Sequence, residues 1–122
     1  MTKDKQGDFF KHSFKSKLRE NLALTVYNSG FQKCESSYRW GPAVRDHYLI
    51  HLVISGKGTY SVSGHTYFLS RGDMFLATES DLVTYTADDE NPWEYCWVGF
   101  NGTEARRLLS LTPLSRSNPV MH

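Results

Sequence analysis

The chain has 122 residues, 39% apolar and 14% aromatic, with 14 basic and 13 acidic side chains that leave a net charge of +1. That is one domain's worth of sequence, able to bury very roughly two-thirds of its unfolded surface, so whole-chain disorder is excluded. The balance lacks the concentrated basic face of a nucleic-acid-binding module, and no apolar run approaches the ~18 residues of a membrane helix.

The charge is unevenly placed. Lys3, Lys5, Lys11, Lys15, Lys17 and Arg19 face only Asp4 and Asp8 before residue 20, whereas Asp73 to Glu104 holds eight acidic residues and no Lys or Arg. Both runs read as solvated surface rather than as a nucleic-acid contact. With no signal-peptide pattern, the chain is expected to be soluble and cytoplasmic. Cys34 and Cys96 are too few for a disulfide framework and are expected as reduced, buried thiols.

Residues 1–20 are polar, with Phe9, Phe10, Phe14 and Leu18 loosely spaced, and are expected to form an N-terminal arm, either docked on the body or disordered. The folded domain is expected over 21–110. Leu22 to Tyr27 alternates and predicts a first strand, Asn28-Ser29-Gly30 predicts a turn, Phe31 to Arg39 predicts a second extended run, and Trp40-Gly41-Pro42 predicts a breaker. From Tyr48 to Phe100, short runs rich in Val, Ile, Tyr, Phe and Thr alternate with turns at Gly56-Lys57-Gly58, Ser63-Gly64 and Arg71-Gly72-Asp73. This spacing predicts strands at 48–55, 58–63, 65–69, 73–77, 82–86 and 93–100, and an all-β sandwich or barrel. Asp88 to Pro92 is expected as a solvated loop. Thr103 is expected to cap a helix beginning near Ala105-Arg106-Arg107-Leu108-Leu109, and 111–122, with two prolines and little to pack, is expected as a linker or tail.

Period-two alternation sorts the strands into faces. Trp93, Tyr95 and Trp97 share one face of the last strand, with Cys96, Val98 and Phe100 on the other; Val83 and Tyr85 share a face, as do Leu49, His51 and Val53. Aliphatic side chains suffice to fill a small barrel. A Trp-Tyr-Trp face also suits a cavity for a ligand with flat apolar patches and hydroxyl groups. On periodicity alone, an aromatic core and an aromatic cavity fit equally well.

Arg39, the run Tyr48 to Gly58, Arg71-Gly72-Asp73, and above all Pro92-Trp93-Glu94-Tyr95-Cys96-Trp97-Val98-Gly99-Phe100-Asn101-Gly102 resemble the N-terminal ligand-binding and dimerisation domain of AraC/XylS-type transcription regulators. The resemblance spans about Leu24 to Leu109, and its final aromatic run is similar to that of sugar-utilisation regulators of Gram-positive bacteria. It implies a cupin, or jelly-roll, double-stranded β-barrel with an N-terminal arm and the start of a C-terminal helix. It further implies a sugar effector, mono- or oligosaccharide, inside the barrel, with DNA bound only through a C-terminal domain outside this chain, and a homodimer in the full-length protein. By resemblance to the arabinose-responsive member of that family, Thr25, Arg39, Tyr85, Tyr95 and Trp97 are the expected ligand contacts, Tyr95 standing where that member carries a histidine.

The chemistry of those positions is coherent. Trp97 would stack on the C–H face of a pyranose, Arg39 would donate fixed hydrogen bonds to its oxygens, and Tyr85 and Tyr95 would offer phenol groups. His51, an inward polar residue, is added as a candidate contact without support from the resemblance, although a satisfied core histidine is the better reading there. No cofactor and no metal are expected. The four positions that hold the metal in cupin enzymes fall at about Ala43, Arg45, Leu49 and Val83, and His12, His47, His51, His65 and His122 show no ligating spacing. A metal-dependent cupin enzyme and a free-standing sugar-binding module are the alternative readings.

Overall fold

The computed structural model describes residues 10–15 and 24–122, with Lys11 the one side chain of the first segment it describes. Ten strands and one short helix follow in order: β1 (Phe10–Lys15), β2 (Thr25–Lys33), β3 (Arg39–Val44), β4 (Tyr48–Ser55), β5 (Lys57–Val62), β6 (His65–Ser70), β7 (Met74–Ala77), β8 (Leu82–Ala87), β9 (Glu94–Asn101), α1 (Ala105–Leu109) and β10 (Val120–Met121). They form two antiparallel sheets, a six-stranded one in the order β1-β2-β9-β4-β7-β10 and a four-stranded one in the order β3-β8-β5-β6. The expected all-β barrel is the observed architecture.

Alternation decides which side chains meet between the sheets. Leu49, His51 and Val53 of β4, Tyr60 and Val62 of β5, Val83, Tyr85 and Ala87 of β8 and Tyr95 of β9 are all buried, as the period-two pattern requires. One half of the interior is solid. Trp93 is wholly buried and stacked on Phe75, with centroids 5.7 Å apart and planes 17° apart, and Tyr60 donates its hydroxyl proton to the Leu76 carbonyl at 2.8 Å. The Asp88 to Pro92 loop is held by the Asp88 carboxylate, which accepts the backbone N–H groups of Glu90 and Asn91 at 3.0 Å each.

The departures from sequence expectation are local. Asn28-Ser29-Gly30 is not a turn; it lies within β2, with Ser29 opposite Val98 and Gly30 opposite Trp97 on one side and β1 on the other. Pairing on both edges overrides the turn chemistry of those residues, and the irregularity is confined to a bulge between Val26 and Asn28. The second extended run ends at Lys33, and Trp40-Gly41-Pro42 lies within β3 instead of breaking the chain. There the register with β8 slips between Trp40 and Ala43. Gly41 takes φ +96°, where a Cβ would sit 2.3 Å from the Val83 carbonyl oxygen, and Pro42 is tolerated because β3 is an edge strand.

At the C-terminal end, Glu104 and not Thr103 occupies the N-cap of α1, with no side-chain cap bond. Residues 111–122, expected to pack little, are seated on the barrel. Leu114 and Val120 are buried, the Leu76 N–H donates to the Pro119 carbonyl at 2.8 Å, Val120 pairs with Phe75, and Arg116 binds Asp81 through two N–H groups at 3.0 and 2.7 Å. Prolines at turn positions do not prevent the intervening apolar residues from docking. Of the expected arm, residues 1–9 and 16–20 lie outside the described residues, as do 21–23 at the start of the expected first strand, and 10–15 form β1 on the edge of β2.

Candidate functional site

The other half of the barrel interior is hollow. A cavity of about 150 Å³ lies between the sheets, walled by Trp97 and Tyr95 of β9, Tyr85 of β8, His51 and Leu49 of β4, Trp40 of β3, and Asn28 and Gln32 of β2. Tyr38, Arg45 and Lys11 complete its lining. Lys11 is exposed and places its ammonium 5.5 Å from the centre of the Trp97 ring, which sets β1 at the rim.

Four of the six residues singled out by sequence thus meet around one space: His51, Tyr85, Tyr95 and Trp97. Centroid distances are 4.8 Å from His51 to Tyr85, 4.7 Å from His51 to Tyr95 and 6.0 Å from Tyr95 to Trp97. The other two lie elsewhere. Arg39 opens β3 opposite Thr86 and is exposed, outside the cavity lining. Thr25 is buried at the start of β2 opposite Asn101, also outside the lining, and its hydroxyl has no hydrogen-bond partner.

The guanidinium at the cavity belongs to Arg45. It donates from Nη2 to the Tyr85 hydroxyl at 2.7 Å and lies over the Trp40 ring, with its carbon 3.6 Å from the ring centre. Trp40 and Tyr85 are themselves stacked at 5.2 Å and 13°. Neither Trp40 nor Arg45 was anticipated from sequence. Trp40 was hidden in what looked like a breaker. For Arg45 a signal existed: counting back by twos from Leu49 through His47 reaches Arg45, so the inward parity of β4 extends into the turn before it.

Burial sets the protonation states. His51 is held well below its ordinary 6.5, first by burial and then by the Arg45 charge, so its imidazole is neutral. Burial pushes the Tyr85 phenol up to about 12, against the opposing pull of Arg45, and pushes Tyr95 higher still. The Tyr95 hydroxyl and the Cys34 thiol are hydrogen-bond partners, and burial raises the thiol to about 11. The expected buried thiol is met by Cys34; Cys96 is half-buried, and both are free.

Three buried polar atoms of the lining residues have no hydrogen-bond partner within the protein: Asn28 Oδ1, Arg45 Nε and His51 Nδ1. Buried polar groups are rarely left unpaired, and each orphan costs about 1–3 kcal/mol. A guanidinium that only donates, amides and phenols that donate and accept, and broad ring faces lining one small space suit a guest that is part hydroxyl, part C–H surface. Among the described residues, no three His, Cys, Asp or Glu side chains gather into a metal-binding set. A second depression, of about 300 Å³, lies outside the barrel against Leu109, Leu114, Arg106 and Arg116; it contains none of the unpaired atoms.

Residues 26–122 match the family described as the AraC-like ligand binding domain. The chain is similar to the Msm operon regulatory protein of Streptococcus mutans, with 39% identity over 94 residues that cover 77% of this chain and 34% of that protein. It is also similar to the raffinose operon transcriptional regulatory protein RafR of Pediococcus pentosaceus, with 33% identity over 100 residues, 80% of this chain and 36% of that one. The chain therefore spans about a third of the length of these relatives. Among solved structures, a cupin 2 conserved barrel domain protein from Salinispora arenicola superposes with a TM-score of 0.61 at 10% identity over 85% of each chain, a likeness of fold.

Proposed function

The chain belongs to the AraC-like ligand-binding domain family, and from that premise we propose that it is the effector-sensing domain of a bacterial transcription regulator, holding a sugar inside its barrel to control carbohydrate-utilisation genes. The observation that carries this reading is the hollow half of the barrel, lined together by the amides of Asn28 and Gln32, the Arg45 side chain, the Tyr85 and Tyr95 phenols and the rings of Trp97 and Trp40. A sugar ring meets both demands at once, with hydroxyl groups for the polar atoms and a C–H face for an indole.

In this reading Trp97 stacks on the ring, and Tyr85, Tyr95 and His51 bond its hydroxyl groups. Arg45 supplies the guanidinium that sequence resemblance assigned to Arg39. Thr25 and Arg39, lying off the cavity, contribute through the strands that carry the site and not by direct contact.

The relatives are named as operon regulators, which supports a binding domain over an enzyme and a cytoplasmic setting. DNA would be engaged through a further domain of the longer protein, and dimerisation would belong to that longer protein as well. Occupation of the cavity would favour one of two arrangements of the arm and body, a shift of population and not a new chemistry.

A thermal-shift screen of this chain against saccharides, with raffinose, melibiose, galactose and cellobiose among them, tests the proposal. A dose-dependent rise in melting temperature with a subset of sugars is the expected result. A flat response to every saccharide up to tens of millimolar would overturn it.

A further inference from the structure

The wall of the cavity holds two cations and, among the described residues, no carboxylate. Lys11 reaches it from β1 and Arg45 from the turn between β3 and β4. Every other lining side chain is uncharged at neutral pH, from the amides of Asn28 and Gln32 to the buried phenols and the neutral imidazole of His51.

Arg45 differs in this from other arginines of the chain. Arg116 lies on the buried Asp81 carboxylate and Arg107 on Glu104 at the surface. Arg45 is half-buried, yet its partners are the Tyr85 hydroxyl and the π-face of Trp40, both without net charge, and its fully buried Nε–H is unpaired. The carboxylate next to it in sequence, Asp46, is bonded to the His47 ring at 2.8 Å. A half-buried guanidinium that lines a cavity and neutralises no carboxylate is a preformed receptor for an oxyanion, because its planar fork matches carboxylate and phosphate oxygens. Lys11, on the rim above Trp97, adds a second positive charge on the approach.

We infer that the sugar taken by this cavity is anionic, a single ring bearing a carboxylate or a phosphate that lies against Arg45 and is flanked by Lys11. The inference rests on the sugar reading above and narrows it to a class, the sugar acids and sugar phosphates. The size of the space agrees with one ring, since about 150 Å³ is below the range of pockets that enclose larger ligands.

The test is calorimetric titration of the chain with matched pairs: galactose against galacturonate, galactose against galactose 6-phosphate, and glucose against glucose 6-phosphate. The expected result is that one charged member binds about tenfold tighter than its neutral partner, the difference between a charge-assisted and a neutral hydrogen bond. The advantage narrows as salt is raised. The uronate and phosphate arms tell the two sources of charge apart. Arg45→Gln removes the preference for the charged member, and should that variant fail to fold, Lys11→Gln on the exposed strand reduces it. Neutral sugars binding as tightly as their charged partners would overturn this inference and leave the sugar reading standing. Inorganic phosphate alone binding as tightly as the sugar phosphates would overturn it too, since the ring would then contribute nothing. If no sugar binds, charged or neutral, the sugar reading itself is lost.

Discussion

The imidazole of His51 lies face to face on the ring of Phe75, with 4.4 Å between centroids and 3° between planes. This stack joins the floor of the hollow to the solid half of the barrel, since Phe75 also packs on Trp93 and Tyr60. It also gives the fold a dependence on pH. The native imidazole is held neutral by burial and by Arg45, whereas the unfolded chain takes up a proton as the pH falls through 6.5. The stability linked to this site is therefore whole above pH 6.5 and declines below it, by up to about 1.4 kcal/mol per pH unit. Denaturant titrations on either side of that value should show a smaller acid loss in His51→Gln than in the unsubstituted chain. Equal losses would mean that His51 titrates normally in the native state.

Trp97→Ala should abolish sugar-induced thermal stabilisation and leave the far-UV spectrum unchanged. The ring is only half-buried, so its removal leaves no sealed void in the core. Binding at a hundredfold excess over Kd stabilises a native state by about 2.7 kcal/mol, a gain visible in a melt. Undiminished stabilisation in the variant would remove Trp97 from the site.

Gly58→Ala should destabilise the fold by about 1–3 kcal/mol in urea titration. A Cβ at this position would stand 2.6 Å from the Trp93 ring and 2.6 Å from the Thr86 carbonyl oxygen. Trp93 has no exposed surface and no free side to which it could retreat. An unchanged midpoint would show that the indole can shift after all.

The two thiols should separate in a labelling experiment on the native protein. Cys34 is 2% exposed, its thiol is pushed up to about 11 by burial, and it is hydrogen-bonded to Tyr95. Cys96 is half-buried on the opposite side of the sheet from the cavity. A thiol reagent near neutral pH should modify Cys96 first and reach Cys34 only on unfolding. Simultaneous modification of both would contradict the packing around Tyr95.

The strands between Tyr48 and Phe100 were legible in the sequence because alternation and Gly-centred turns agree there. Both signals act over a few residues, and the inward parity of Leu49, His51, Val83, Tyr85 and Tyr95 follows from them. Where non-local pairing governs, local signals misled. Asn28-Ser29-Gly30 carries turn chemistry but is gripped by strands on both sides, and Leu114 and Val120 find partners in a layer far away in sequence. The site shows the same division. His51, Tyr85, Tyr95 and Trp97 sit on regular strands, so counting by twos was enough. Trp40 and Arg45 depend on a slipped register at Gly41-Pro42 and on a turn, where counting loses phase. Arg39 precedes that slip, pairs opposite Thr86 and is exposed.

The plug formed by Trp93, Phe75 and Tyr60 makes the hollow a blind alley at that end. A visitor that comes in past Lys11 finds the far half already filled with rings, so a change to the stopper would act first on the depth of the alley, through the His51 ring that rests on Phe75.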